Sequence, residues 1–407
     1  MHVILVEPAF PTNQREFVRG LKSVGATVSA IGERPQEYLD DELKSWLTFY
    51  EQVPSVCDHE SMYKAVRRLQ GKGWVDRLEA TVEAHMRCAA EIREMCKIPG
   101  TSVETTARCR DKPLMKEVLR QAGVPCARSG GITSAAEVKD FIGEVGYPII
   151  LKPRDGAGAA DTYKITDEKS YEEVMVESGL AAREIDYAVE EFIEGHEGFF
   201  DTITVDGKVR HEFITHYYPN VLHGMRTRWI SPQFCVTNRI EAEGYQEVRK
   251  LGRRVIEVLG IKTAPTHMEW FTTKKGLVFS EIACRPPGVG AWDLYRAAND
   301  LDLYAEWARA ICGLEPGGFP SRRFATGMVA LRPDQDGTIV GHEGKDALLR
   351  DLGDFIIDAH FPNPGTPTQP VGAGYKANAW VQLRHADYDD LLKMLTAVGE
   401  GVQTRAR

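Results

Sequence analysis

The stretch from Thr266 to Gly288, Thr-His-Met-Glu-Trp-Phe-Thr-Thr-Lys-Lys-Gly-Leu-Val-Phe-Ser-Glu-Ile-Ala-Cys-Arg-Pro-Pro-Gly, constrains the fold of this chain more than any other. Two apolar, alternating runs flank Lys274-Lys275-Gly276, the pattern of an antiparallel hairpin with glycine at the left-handed position of a three-residue turn. Pairing Thr273 with Leu277 sets Phe271 against Phe279 and Glu269 against Glu281. Directly opposed carboxylates have Cβ atoms about 4.5–5.5 Å apart, and such like charges destabilise a sheet unless a cation lies between them. Two oxygen-only ligands suit Mg²⁺, a hard ion that keeps several waters and shares its remaining positions with substrate phosphates. Side chains alternate along a strand, so Phe279 and Arg285 are expected on the face of Glu281. A hairpin whose polar face is simply hydrated fits these residues equally well when they are taken alone.

Upstream segments supply a context for the pair. Tyr147-Pro-Ile-Ile-Leu-Lys-Pro-Arg-Asp-Gly-Ala-Gly-Ala-Ala-Asp161 is a β-rich run that ends in Lys152 and a small-residue loop. Glycine and alanine let backbone N–H groups approach phosphates closely, and the lysine adds a point charge. This is neither a Walker A sequence nor a dinucleotide fingerprint. Tyr187-Ala-Val-Glu-Glu-Phe-Ile-Glu-Gly-His-Glu197 is a further apolar strand interrupted by acids before a glycine turn.

Taken in order, these segments resemble the ATP-grasp superfamily, the carboxylate–amine ligases and relatives such as D-alanine–D-alanine ligase, glutathione synthetase and biotin carboxylase. The resemblance opens at Asp111-Lys112-Pro-Leu-Met-Lys116 and Ala122-Gly-Val-Pro125, and runs through Lys152, Glu190–Glu197 and the Glu269/Glu281 hairpin, over roughly residues 100–310. It implies that Lys112 and Lys152 contact nucleotide phosphates. Glu190, Glu191, Phe192 and Ile193 match the hinge strand that reads the adenine edge, and Glu197 matches the acid that accepts the ribose hydroxyls. Glu269 and Glu281 match the Mg²⁺ carboxylates, with Mn²⁺ as an alternative ion, and Arg285 matches the arginine facing the transferred phosphoryl group and the acyl intermediate. Lys152 and Arg285 thereby become the catalytic candidates. One position departs from the family: Ala283 stands where asparagine is common, two residues after the second glutamate, and removes a metal ligand.

The implied fold is α/β: an open α/β pre-grasp domain over 1–100, an ATP-grasp domain over 101–319 whose two α+β subdomains (101–185 and 186–319) enclose ATP, and a small β-rich domain over 320–407. Local patterns agree. Residues 2–7 and Thr27–Ile31 read as strands around a helix at Arg15–Ser23, the start of an open α/β unit. That unit lacks GxGxxG, so a nicotinamide cofactor is not indicated. Val75–Cys96 is the longest amphipathic run, interrupted at Lys97-Ile-Pro-Gly100. Gln246–Leu259 and Asp300–Cys312 are expected helices, each followed by glycine, and Ala325–Leu331 and Ala377–Leu383 are expected strands.

The 407 residues exceed one ordinary core and suggest subdomains around a cleft. A net charge of −9 argues against a nucleic-acid partner, whose phosphates require a basic surface. The chain shows no signal-peptide pattern and no run of the roughly 18 apolar residues of a membrane span, so a cytoplasmic, membrane-free location is expected. The eight cysteines show no CxxC pair. Cys284 adjoins the proposed site, but alternation turns it away from Glu281 and Arg285.

The expected reaction is ATP-dependent ligation of a small carboxylic acid to an amine, amino acids among the candidates, through an acyl phosphate. The alternatives are an ATP-grasp carboxylase or kinase acting on another small acid, or a nucleotide-binding regulatory protein without catalysis. Homodimers are common in the family. For substrate recognition, Arg226 or Arg228 could clamp a carboxylate, or their segment is a solvated loop. His267 shares the face of Glu269 and is either a base for the amine or an ordinarily hydrogen-bonded histidine.

Overall fold

A computed structural model describes residues 1–156 and 161–407. Its first unit is a four-stranded parallel sheet in the spatial order Phe49–Gln52, Thr27–Gly32, His2–Val6, Arg77–Glu79. His2–Val6 is buried along its whole length, as a central parallel strand covered on both faces must be. The chain order reverses between His2–Val6 and Arg77–Glu79, and open α/β sheets bind ligands outside the carboxyl ends of the strands at such a switch point. The run Val75–Cys96 is therefore not one helix. Arg77–Glu79 pairs with Val3–Leu5, and the helix itself spans Met86–Cys96, closed by Lys97 in the left-handed region. Three residues are too few to display a period.

The middle of the chain forms two lobes. The first is an antiparallel sheet in the order Ser129–Ile132, Tyr187–Glu191, Ile149–Pro153, Tyr163–Ile165, backed by helices Ala135–Val145 and Glu168–Glu177. Val138, Val174 and Met175 pack there against Ile149, Leu151 and Val189. Tyr187–Glu191, which the sequence division at 185/186 gives to the second lobe, thus belongs to the first. The second lobe is built on an eight-stranded antiparallel sheet. Its order is Gly276–Ala283, Ala264–Thr273, His196–Val205, Lys208–Tyr218, Gln233–Val236, Ala325–Leu331, Ala379–His385, Ile356–His360. The last three strands come from 320–407, so that segment extends the large sheet, and its helix Tyr388–Gly401 packs on it through Leu391, Leu395 and Val398. Only Ile339–Glu343 and Gln403–Ala406 make a separate two-stranded ribbon.

The N-terminal unit is clamped to the second lobe through helix Gln14–Ser23, which crosses helix Leu303–Ile311 closely. A Cβ on Gly20 would lie 2.4 Å from the Tyr304 carbonyl oxygen, so only glycine fits the crossing. Arg19 adds a two-pronged bond to Asp302 at 2.8 and 3.0 Å. Among the described residues, no helix is long and apolar enough to cross a membrane.

Candidate active site

The carboxylate pair forms as expected, by a different route. Thr273 pairs with Gly276 across a two-residue turn, Lys274-Lys275, not with Leu277 across three. Phe271 then faces Val278, one place out of the expected register, until Ser280 enters as an extra, unpaired residue and restores Glu269 opposite Glu281. Such a bulge reverses the facing of the residues beyond it. Phe279 is accordingly not on the face of Glu281. It is fully buried in the core with Met268 and Trp270, while Ser280 faces the cleft.

The adjoining strand completes the acidic wall. His267, Glu269 and Phe271 stand opposite Asp201, Phe199 and Glu197. The Glu197 carboxylate accepts the Val221 N–H at 2.7 Å. Burial, and then the charge of Glu269, push its pKa up to about 8. Ala283 lies opposite His267, so the place of the missing asparagine borders the imidazole.

A cationic wall faces these acids. Glu190 is only 4% exposed, and one of its oxygens lies 2.6 Å from the Lys116 ammonium and 3.0 Å from that of Lys152. Burial alone would raise the pKa of Glu190, but the two lysines win and hold it at about 2. Lys152 also reaches Glu281 at 3.6 Å, and these acids raise its pKa against the opposing effect of burial. Lys112 lies 4.0 Å from Glu281 and donates to the Gly156 carbonyl at 2.6 Å. Of the small-residue loop expected to cradle phosphates, residues 157–160 lie outside the described residues.

Along the hinge the side chains divide. Glu190 turns to the lysines, whereas Glu191 is held by Arg128 through its backbone N–H at 2.8 Å and its guanidinium at 2.7 and 2.9 Å. The Phe192 N–H donates to the Pro148 carbonyl, and its ring carries the Lys164 ammonium 3.7 Å from the centroid. Lys112, Lys152, Glu190, Glu191, Phe192, Ile193, Glu197, Glu269, Glu281 and Arg285 all line one cleft of about 1290 Å³.

Arg285 projects from the loop after the hairpin and donates from Nε to Glu83 of the N-terminal unit at 2.7 Å. Thr81 and Glu83 on one side, and Pro11–Gln14 on the other, come from the two loops that flank the switch point of the parallel sheet, and they line the same cleft. His267 is fixed from behind: its Nδ1 is 2.7 Å from Asp201, which in turn accepts from the Tyr295 hydroxyl at 2.5 Å. Burial works against protonation of the imidazole, yet Asp201 and then Glu269 raise its pKa to about 9. Glu83, Asp201 and Tyr295 are the partners that local sequence patterns missed, and Lys116, the last residue of the opening motif, had no role assigned to it. The other arginine candidates separate: Arg226 lines the cleft beside the Tyr163 ring, whereas Arg228 is bound to Asp336 at 2.7 Å. Cys284 is buried against Cys109, away from the site.

Residues 117–299 match the model of the ATP-grasp domain. This chain carries an ATP-grasp domain. The chain is 28% identical over 257 residues to the L-arginine-specific L-amino acid ligase of Bacillus subtilis, covering 62% of this chain and 61% of that protein. It is 26% identical over 319 residues to the uncharacterized protein y4rH of Sinorhizobium fredii, covering 76% of this chain and 61% of that one. The chain thus spans about 61% of the length of each of these curated relatives. The crystal structure of an L-amino acid ligase from Bacillus licheniformis superposes with a TM-score of 0.77 at 15% identity, covering 100% of this chain and 98% of that one. The shared architecture is the ATP-grasp fold, with the cleft between its lobes.

Proposed function

We propose that the protein is an ATP- and Mg²⁺-dependent carboxylate–amine ligase that proceeds through an acyl phosphate. The observation that carries this reading is one cleft in which the lysine and carboxylate walls of the ATP-grasp domain meet Arg285, and Arg285 meets the switch-point loops of the N-terminal sheet. The similarity to amino-acid ligases supports it.

A carboxylate is a poor acyl donor because its leaving group is oxide. Phosphorylation by the γ-phosphoryl group replaces that group with phosphate and releases ADP. The amine nitrogen then bonds to the acyl carbon, the bond from carbon to the phosphate oxygen breaks with its electron pair, and the surplus proton leaves the nitrogen. In this reading Lys112 and Lys152 hold phosphate oxygens, the hinge from Glu190 to Ile193 takes the adenine, and Glu197 takes the ribose. Arg285 stabilises charge on the phosphoryl group and on the tetrahedral carbon. The facing oxygen donors of Glu269 and Glu281 suit a hard cation, and Glu197 stands on the adjoining strand, so three carboxylates share this part of the cleft. Among the described residues no third His, Cys, Asp or Glu completes the set, leaving positions for water and phosphate oxygens. When bound, Mg²⁺ supplies neutralisation of phosphate charge.

The segments 1–100, 101–319 and 320–407 divide the work in this account: the first faces the donor acid, the second holds ATP, and the third closes the far wall with Gly374–Lys376. The test is trapping with hydroxylamine. L-amino acids and small carboxylic acids, each offered with ATP, Mg²⁺ and hydroxylamine, are expected to yield a hydroxamate for at least one donor. ATP bound with no hydroxamate from any donor would sink the ligase reading.

A further inference from the structure

The far wall of the cleft carries charge that the site described so far does not use. Lys376 is half-buried, and its ammonium rests on the Trp380 ring, 4.1 Å from the centroid. Among the described residues it has no hydrogen bond and no carboxylate within ion-pair distance. The strongest charge acting on it is that of Asp293, whose Oδ1 accepts the Tyr304 hydroxyl at 3.1 Å. The backbone is shaped around this head group. Gly290 adopts φ +74°, and a Cβ there would lie 2.7 Å from Lys376 Nζ and 3.4 Å from Asp293 Oδ2. Arg296, one helical turn beyond Asp293, lines the same cleft and is likewise unpaired through its guanidinium among the described residues. The wall therefore holds two cations with free donors around one acid already engaged by a tyrosine.

A partly buried ammonium is costly to keep without an anionic partner, and aromatic contact offsets only part of that cost. The position is also specific. Gly290 follows Arg285 by one short loop, Pro286–Val289, so a molecule lying along this wall presents one end to the reacting centre and the other to Lys376. Ammonia or a simple alkylamine has nothing to place against these cations.

We propose that Lys376, assisted by Arg296, anchors a carboxylate on the incoming amine, so that the nucleophile is an amino acid or a short peptide. Asp293 lies near the ammonium without pairing with it, so its protons stay free. This inference rests on the ligase reading, and the two fail separately: hydroxamate formation by the wild-type protein tests that reading with no acceptor amine present.

The experiment uses a donor acid found by that trapping. The twenty L-amino acids and their carboxamides serve as acceptors, with kcat/KM for product formation as the readout. Removal of one charge-assisted contact corresponds to a preference of about 10-fold or more. The wild-type enzyme should favour the best free acid over its carboxamide by that factor. Lys376→Met should bring the ratio close to one, mainly through acceptor KM, and Lys376→Arg should restore most of it. The ratio is taken within each variant, so partial loss of folded protein cancels. Equal use of acid and carboxamide by the wild type would overturn the inference, as would an undiminished ratio in Lys376→Met or use of simple amines alone.

Discussion

Two lysines touch the same oxygen of Glu190 and have opposite duties. Lys116 is wholly enclosed, while Lys152 also faces Glu281 and the cleft. Lys116→Met leaves Glu190 buried with a single cation, and removing one partner of a buried pair costs about 3–5 kcal/mol. The expected outcome is a marked drop in the thermal midpoint. Lys152→Met leaves the Lys116 contact intact, so it should spare the fold more and weaken ATP binding in a calorimetric titration. A Lys116→Met protein as stable as the wild type would show that the enclosed pair contributes no stability. The residues legible in the sequence were those marked by local pattern. The opposition of Glu269 and Glu281 follows from the hairpin pattern, and Lys112, Lys152 and Arg285 are singled out by the resemblance that short motifs in order carry. Their supports were hidden because they lie far along the chain: Asp201 is 66 residues from His267 and 94 from Tyr295, and Glu83 is 202 from Arg285. No periodicity reports a contact at such separations.

Elements were legible where they were long and punctuated, as with Gln246–Leu259, which Gly260 closes in the left-handed conformation. The hairpin was read correctly as a hairpin, but a turn shorter by one residue and a bulge at Ser280 offset each other, and only the outcome at Glu269 and Glu281 could be inferred. Close crossings leave still less trace, since nothing around Gly20 announces a neighbouring backbone. Gly20→Ala should push helices Gln14–Ser23 and Leu303–Ile311 apart and cost about 1–3 kcal/mol, seen as a lowered denaturation midpoint. An unchanged midpoint would mean that the crossing yields at no cost. The strands His196–Val205 and Lys208–Tyr218 carry a second device: His196 Nε2 meets His216 Nδ1 at 2.9 Å, and His216 Nε2 meets the Tyr245 hydroxyl at 2.8 Å. Burial, and then His196, lower the pKa of His216 to about 3. The unfolded chain, with an ordinary histidine pKa of about 6.5, binds this proton first. This pair therefore leaves stability intact above that value and reduces it as pH falls from there towards 3. Denaturation midpoints measured across that window should decline less in His216→Gln than in the wild type, and parallel declines would remove His216 as a source of the acid lability.

At the scale of the whole molecule, the cleft has walls from three stretches of chain: the switch-point loops near Pro11 and Glu83, the two lobes of the ATP-grasp domain, and Gly374–Lys376. The end proposed for the nucleotide is written in compact motifs, which is why the resemblance reaches it. The end proposed for the substrates is not, because its groups converge only when the N-terminal sheet docks through Gln14–Ser23 and the C-terminal strands extend the large sheet. In the proposed reaction this convergence brings a carboxylate to the γ-phosphoryl group. The most direct measurement follows oxygen from a donor acid labelled with ¹⁸O in its carboxylate, in a complete reaction with ATP, Mg²⁺ and acceptor amine. One labelled oxygen is expected in each inorganic phosphate released, with ADP unlabelled. Unlabelled phosphate, or label appearing in AMP, at a measured rate of amide formation would contradict it.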